Sequence, residues 1–200
     1  MPANPHGHQL DVPTASGRTL NIAKPRAENI DINDIATHLA KQCRHNGACR
    51  NFYSAAQHSL VVCDIVQSGT RDFEMALRAL LHDAHDAYLG HIPRGTQFQI
   101  EAAGGSPGIL DIQADIANTI NAWFGFRPIT LTQVRTIEMA DLTALATEYR
   151  DLLPNGTRMP EHLPPAHKKP ITPWPWQKAE EKFLEKFSDL ESMVESEVAA

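Results

Sequence analysis

Apolar residues recur every three or four positions through most of this chain, and this spacing restricts its fold more than any other feature. Most stretches with this spacing end near glycine or proline, and several begin near a residue that caps helices. The predicted helices cover about 33–46, 54–67, 71–90, 109–124, 130–153 and 176–197. Because no segment shows the strong alternation that is typical of strands, the sequence predicts an all-α fold.

The predicted helices favour one domain with a segment attached at each end. Residues 1–28 are rich in proline, glycine and asparagine, which predicts an irregular N-terminal segment with a possible short hairpin at 14–22. Residues 29–153 hold the first five helices and are predicted to form the domain itself. Residues 154–175 carry seven prolines, and we expect the amphipathic C-terminal helix within 154–200 to pack on the domain.

Composition excludes several classes of function and location. The net charge of −6 provides no basic surface for nucleic acid or for an anionic membrane. No run of about 18 apolar residues is present, and the N-terminus lacks the basic and apolar regions of a signal peptide. We therefore expect a cytoplasmic protein. The three cysteines are odd in number and have no CxxC spacing, so we expect reduced thiols and no zinc ribbon.

Two of the predicted helices place a polar group on an apolar face. In helix 54–67, His58 lies on the apolar stripe and is therefore predicted to face the core. In helix 130–153, Asp141 lies at the centre of the apolar stripe, and Glu148 lies on the same line two turns later. A carboxylate at such a position needs a partner, or its pKa must rise.

The helix predicted over 71–90 is apolar on two opposite faces. One of these faces begins with apolar residues and continues with His82 and Asp86, with Asp83 on its flank. His85 aligns instead with Glu74 and Arg78, on an edge that we expect to be solvated.

Three helices are therefore predicted to bring polar groups to buried faces, namely His58, His82 with Asp83, and Asp141. Two imidazoles and two carboxylates suit a divalent transition metal. The alternative interpretation is that these are separate core residues, each with its own hydrogen-bond partner.

The ordered set of a His, then a His-Asp pair, then an Asp on a later helix resembles the HD-domain metal-dependent phosphohydrolases. The surrounding segments "FYSAAQHSLVV", "ALLHDAHDAYLGHIPR" and "ADLTALATEYRDLL" are similar to that family as well. The resemblance covers roughly residues 14–153. It is closest to the small single-domain members, the 5′-deoxynucleotidases and the phage-type deoxynucleoside triphosphate phosphohydrolases.

The resemblance implies a single HD-domain helical bundle that hydrolyses the 5′-monophosphate or the triphosphate of a deoxynucleotide. It implies that His58, His82, Asp83 and Asp141 bind Mn, Co or Zn, with Mg possible on the substrate phosphates. An Arg that precedes the first metal His contacts phosphate in these deoxynucleotidases, and Arg44 stands at the matching place. Further candidates for phosphate binding are Arg50 and Arg94.

Two positions depart from the family pattern, because Asp86 replaces the commoner Glu and His91 replaces the commoner Asp. The resemblance gives Asp86 the role of orienting the attacking water or exchanging its proton, with His91 in the same network. Two alternatives stay open, namely a metal- and nucleotide-binding regulator without turnover and a nucleotide phosphodiesterase. For partners we expect a nucleotide substrate and a homo-oligomer, with neither nucleic acid nor membrane.

Overall fold

Eight α-helices make up most of the structure, which is a computed structural model that describes residues 11–104 and 108–199. The α-helices are α1 (Ile32–Lys41), α2 (Ala55–Thr70), α3 (Phe73–Leu80), α4 (Asp86–Leu89), α5 (Arg94–Ala102), α6 (Ile109–Trp123), α7 (Leu131–Asp151) and α8 (Trp176–Ala199). The strands β1 (Asp11–Pro13) and β2 (Thr19–Asn21) form an antiparallel hairpin. The prediction of an all-α fold is confirmed. A short hairpin is present, but its first strand precedes the predicted range of 14–22, and residues 1–10 of the predicted irregular segment lie outside the described residues.

Side-chain caps define where three of the main helices begin. Asp31, Ser54 and Thr130 precede α1, α2 and α7, and each accepts a hydrogen bond from a backbone N–H two or three residues later. These bonds satisfy N–H groups that have no partner inside the helix. The bounds of α2 and α7 therefore follow closely from the sequence.

The core forms on both sides of α3, which packs against α2 and α8 and also contacts α7. One face of α3, with Leu77 and Leu80, joins a core cluster that includes Phe183 of α8. The opposite face, with Met75 and Ala79, packs against small residues of α7 and valines of α2. The prediction that this segment is apolar on two faces is thus confirmed, and α8 contributes to the main core.

The prediction of one continuous helix up to Gly90 is wrong. α3 ends at Leu80, residues 81–85 form turns, and α4 begins at Asp86. The backbone here is tightened by hydrogen bonds between residues three apart, such as Asp86 N–H to Asp83 O at 2.9 Å. Such bonds give about three residues per turn instead of 3.6, so residues three apart eclipse. The directions of the side chains after Leu81 therefore differ from those of a regular α-helix.

Two further segments complete the fold around the site. α5 is a helix that the sequence did not predict, and none of its residues is buried. The proline-rich stretch 154–175 holds no helix or strand, but it is attached to the domain by Ile171 and by hydrogen bonds with Gln57 of α2. None of the helices in the described part of the chain combines the length and the apolar character that crossing a bilayer requires.

Candidate metal centre

Three elements bring four predicted ligands together at one place, called here the central cluster: His58, His82, Asp83 and Asp141. His58 lies in the first turn of α2 and is fully buried. His82 and Asp83 lie in the turn that follows α3, and Asp141 lies in the middle of α7, which packs on α2. The sequence prediction that these four residues meet agrees with this placement.

The distances in the central cluster lie within about 0.2 Å of those expected between ligands of one metal ion. His58 Nε2 lies 3.1 Å from Asp141 Oδ1 and 3.7 Å from Asp83 Oδ2, and His82 Nε2 lies 3.3 Å from Asp83 Oδ2. Two donors bound to one tetrahedral ion at about 2.0–2.2 Å lie roughly 3.3–3.6 Å apart. The ligand atoms of His58, His82 and Asp83 also lie within 4.8 Å of one another, so this group can hold a metal ion.

Hydrogen bonds at Nδ1, the ring nitrogen that faces away from the cluster, orient both histidines of the central cluster. The Nδ1–H of His58 donates to Glu148 Oε1 at 2.6 Å, and that of His82 donates to the Ala79 carbonyl at 2.8 Å. Within residues 11–104 and 108–199, neither buried Nε2 atom has a hydrogen-bond partner. Metal-binding histidines usually have this arrangement, in which the outer N–H is bonded to a carboxylate or carbonyl and the inner nitrogen lone pair is free.

Electrostatic surroundings keep the buried carboxylates ionised. Burial alone would raise the pKa of Glu148, but Arg44, His58 and His45 hold it well below its usual value. Burial would also raise the pKa of Asp141, but His58 and His82 lower it to about 2. Burial and Arg44 act to lower the pKa of His58, yet Glu148 and Asp141 raise it to about 9. The carboxylates around His58 therefore stabilise a positive charge at this position.

Glu148 connects the central cluster to a short 3₁₀ turn, Arg44–Gly47. His45 Nε2 lies 2.7 Å from Glu148 Oε2, and the guanidinium of Arg44 lies 3.5 Å from Glu148 Oε2 and 3.3 Å from Asp83 Oδ2. His45 and Asn46 have left-handed backbone conformations, with φ of 54° and 51°. These residue types adopt that region more readily than most, and here it directs Arg44 and His45 toward the same carboxylate.

Asp86 and His91 form a pair next to the central cluster. Asp86 is buried, and the Nδ1–H of His91 donates to Asp86 Oδ2 at 2.8 Å. His85 lies on the other side of this carboxylate, with Nε2 3.4 Å from Asp86 Oδ1. The prediction that His85 lies on a solvated edge is wrong, because its side chain is only 15% exposed. The tightened backbone at 81–85 is the cause.

Two cavities meet at the central cluster. The larger has a volume of about 750 Å³, and its wall includes Arg44, His85, His91 and Arg94. The smaller, of about 360 Å³, shares Asp83, Arg94 and Asp141 with the larger one. Arg94 contacts Asp141 directly. A ligand that occupies both cavities would therefore lie across the central cluster.

The structure does not bring Arg50 to this site. Its guanidinium donates to the carbonyl of Asp151, the last residue of α7, at 2.6 Å and to Oδ1 of Asn155, four residues beyond it, at 3.2 Å. Three residues that were not among the predicted site residues do reach it, namely His45, Glu148 and His85. Glu148 had a detectable signal, since a carboxylate on an apolar stripe requires partners. His85 had none beyond its place in the His-Asp-rich segment.

The fold and the central cluster define an all-α protein with a buried His/Asp group that can hold a metal ion. No protein-family model matches the chain. The chain is 33% identical to the uncharacterized protein YfdR of Escherichia coli K12, over 91% of this chain and 96% of YfdR. An uncharacterized protein of Rhodobacter capsulatus is 30% identical over 66% of this chain and 68% of its own length. The chain therefore belongs to the family of YfdR.

Proposed function

We propose that this chain is a divalent-metal-dependent phosphohydrolase of the HD-domain class that acts on deoxynucleotides. The observation that best supports this proposal is the pair of buried Nε2 atoms of His58 and His82. Hydrogen bonds at Nδ1 orient both rings, so that Nε2 of His58 lies near Asp141 and Nε2 of His82 lies near Asp83. The order of these residues along the chain, His, then His-Asp, then Asp, is that of the HD pattern. Two nitrogen and two oxygen donors suit Mn, Co or Zn.

A divalent ion bound at the central cluster would lower the pKa of bound water and polarise a phosphoryl oxygen. The protein's own contribution is to fix the donors. Glu148 holds the ring of His58, the Ala79 carbonyl holds that of His82, and Arg44 lies beside Asp83. Ligands held in this way need little rearrangement when an ion binds.

The two cavities suit the two ends of a nucleotide. Arg44 and Arg94 lie where a phosphate beside the central cluster would be, and their guanidinium groups can each donate two hydrogen bonds. The smaller cavity extends from Asp141 toward Ile129, Val134 and Ile137, whose apolar side chains suit the faces of a base. We therefore assign the phosphate to the larger cavity and the base to the smaller one.

Asp86 and His91 are assigned to the attacking water. His91 donates to one oxygen of Asp86 and thereby fixes the carboxylate in the wall of the larger cavity. In this position Asp86 orients the nucleophile or exchanges a proton with it, and His91 supports that carboxylate.

We place this reaction in the cytoplasm, since the cysteines Cys43, Cys49 and Cys63 are all unpaired, as a reducing compartment would leave them.

A substrate panel tests the proposed function. The protein, freed of metal and then supplied with Mn, Co or Zn, is incubated with deoxynucleoside mono- and triphosphates. We expect metal-dependent release of inorganic phosphate from monophosphates or of inorganic triphosphate from triphosphates. Tight nucleotide binding without any release would contradict the proposal and favour the regulator, and release from a cyclic phosphodiester alone would favour the phosphodiesterase.

Arg94→Ala is expected to raise KM about tenfold, because it removes a charge-assisted hydrogen bond to phosphate. The metal content should stay unchanged, since Arg94 is not one of the proposed ligands. Arg50→Ala is the matched control and should leave KM unchanged, because Arg50 bonds to the end of α7. Steady-state kinetics of both variants make the comparison, and equal effects would remove Arg94 from the phosphate site.

A further inference from the structure

A second group of potential ligands adjoins the central cluster, called here the flanking cluster: Asp83, His85 and Asp86. Their ligand atoms lie within 4.8 Å of one another. Asp83 belongs to both clusters, and all three residues are part of the wall of the larger cavity. The tightened turn at 81–85 creates this group, because three residues per turn places Asp83 and Asp86 on the same side.

The two oxygens of Asp86 have different surroundings. Oδ2 accepts the hydrogen bond from His91 at 2.8 Å, whereas Oδ1 is buried and has no hydrogen-bond partner in the described part of the chain. Asp86 as a whole is 3% exposed. An unpartnered carboxylate oxygen at this depth is costly unless a ligand satisfies it.

The imidazole of His85 lies at the distance from Asp86 Oδ1 that is expected between two ligands of one ion. His85 Nε2 lies 3.4 Å from Asp86 Oδ1, which is long for a hydrogen bond. It falls within the roughly 3.3–3.6 Å expected between two donors on one tetrahedral ion. His91 then acts as the outer partner that orients a ligating carboxylate.

We propose that the flanking cluster binds a second divalent cation, held by Asp83, His85 and Asp86, with Asp83 bridging the two ions. This inference rests on the proposed function, because it adds an ion to the same phosphohydrolase site. Mixed nitrogen and oxygen donors suit Mn²⁺ or another first-row ion.

The charges around the two clusters favour this occupancy. Four buried or half-buried carboxylates lie here, from Asp83, Asp86, Asp141 and Glu148, against the guanidinium groups of Arg44 and Arg94. One divalent ion brings this set close to neutrality when the imidazoles are neutral. A second gives the site the positive charge that a phosphate dianion needs, and two ions can stabilise both the attacking and the leaving oxygen. Asp86 then orients the attacking water through the cation it binds.

Manganese binding tests the second site without relying on turnover. Metal-freed protein is titrated with Mn²⁺, the bound ions are counted per chain, and the EPR spectrum is recorded. We expect two Mn²⁺ per chain and the spectrum of an exchange-coupled pair, because a carboxylate bridges them. In His85→Ala the second Mn²⁺ should bind at least about 100-fold more weakly, and the spectrum should become that of a single ion.

Two more variants make this test specific. Asp86→Asn keeps the shape of the side chain and should also lose the second ion while keeping the first. His162→Ala is the control, since His162 is exposed in the wall of the same cavity and should leave two ions bound. One Mn²⁺ in the wild type, unchanged in His85→Ala, would overturn the second site alone. No bound Mn²⁺ at all would overturn the metal centre on which the proposed function rests.

Discussion

His58→Ala is expected to lose the metal of the central cluster and to reduce phosphohydrolase activity to the background rate. His82→Ala, Asp83→Ala and Asp141→Ala should behave in the same way, because each removes one proposed ligand from a set of four. In His58→Ala the change also leaves Glu148 without one of its hydrogen-bond donors. Elemental analysis after dialysis and phosphate release measured on the same samples make the comparison.

A matched control separates this effect from general damage to α7. Glu138→Ala changes an exposed carboxylate near Asp141 on the same helix, in the wall of the same cavities. We expect it to retain full metal content. Full metal content in two or more of the four ligand variants would contradict the assignment of the central cluster.

Glu148→Gln is expected to be the most destabilising conservative change in the site. Glu148 is fully buried and faces Arg44, His45 and His58, so removing its charge leaves the guanidinium of Arg44 without this carboxylate and gives the two imidazoles a weaker hydrogen-bond partner. Breaking a buried ion pair from one side costs about 3–5 kcal/mol. Metal affinity should fall about 10- to 100-fold as well, because Glu148 orients the ring of His58. Chemical denaturation and metal titration measure the two effects.

The pH dependence gives an independent test of Glu148. Its pKa is held well below the usual value in the folded protein. Its contribution to the free energy of unfolding is therefore present above the unfolded-state pKa of about 4.3 and is lost as the pH falls toward the folded-state pKa. We expect wild-type protein in chelator to lose stability more steeply below about pH 4.3 than Glu148→Gln does. Equal slopes, or an unchanged stability at pH 7, would contradict the role given to Glu148.

Helix periodicity and capping predicted most of the fold. The helices α2 and α7 begin within one residue of the predicted starts at 54 and 130, because the caps Ser54 and Thr130 are local features that the sequence contains directly. The same periodicity placed His58 in the core and Asp141 toward it. The three elements that carry the predicted ligands therefore meet as the sequence indicated.

The segment that follows Leu80 could not be predicted from helical angles. A regular helix would have continued to Gly90, but hydrogen bonds between residues three apart replace its pattern at 81–85. This change shifts the backbone little but alters the direction of the side chains. His85, which was expected on a solvated edge, faces Asp86 instead. α5 was missed for another reason, since its residues are all outside the core and give no clear apolar stripe.

Anomalous X-ray diffraction from crystals grown with Co²⁺ tests the central claim most directly, because it locates the ion without reference to turnover. We expect a peak at about 2.0–2.2 Å from His58 Nε2, His82 Nε2 and one carboxylate oxygen each of Asp83 and Asp141. A fully loaded protein whose Co²⁺ peak lies away from these four residues would contradict the account.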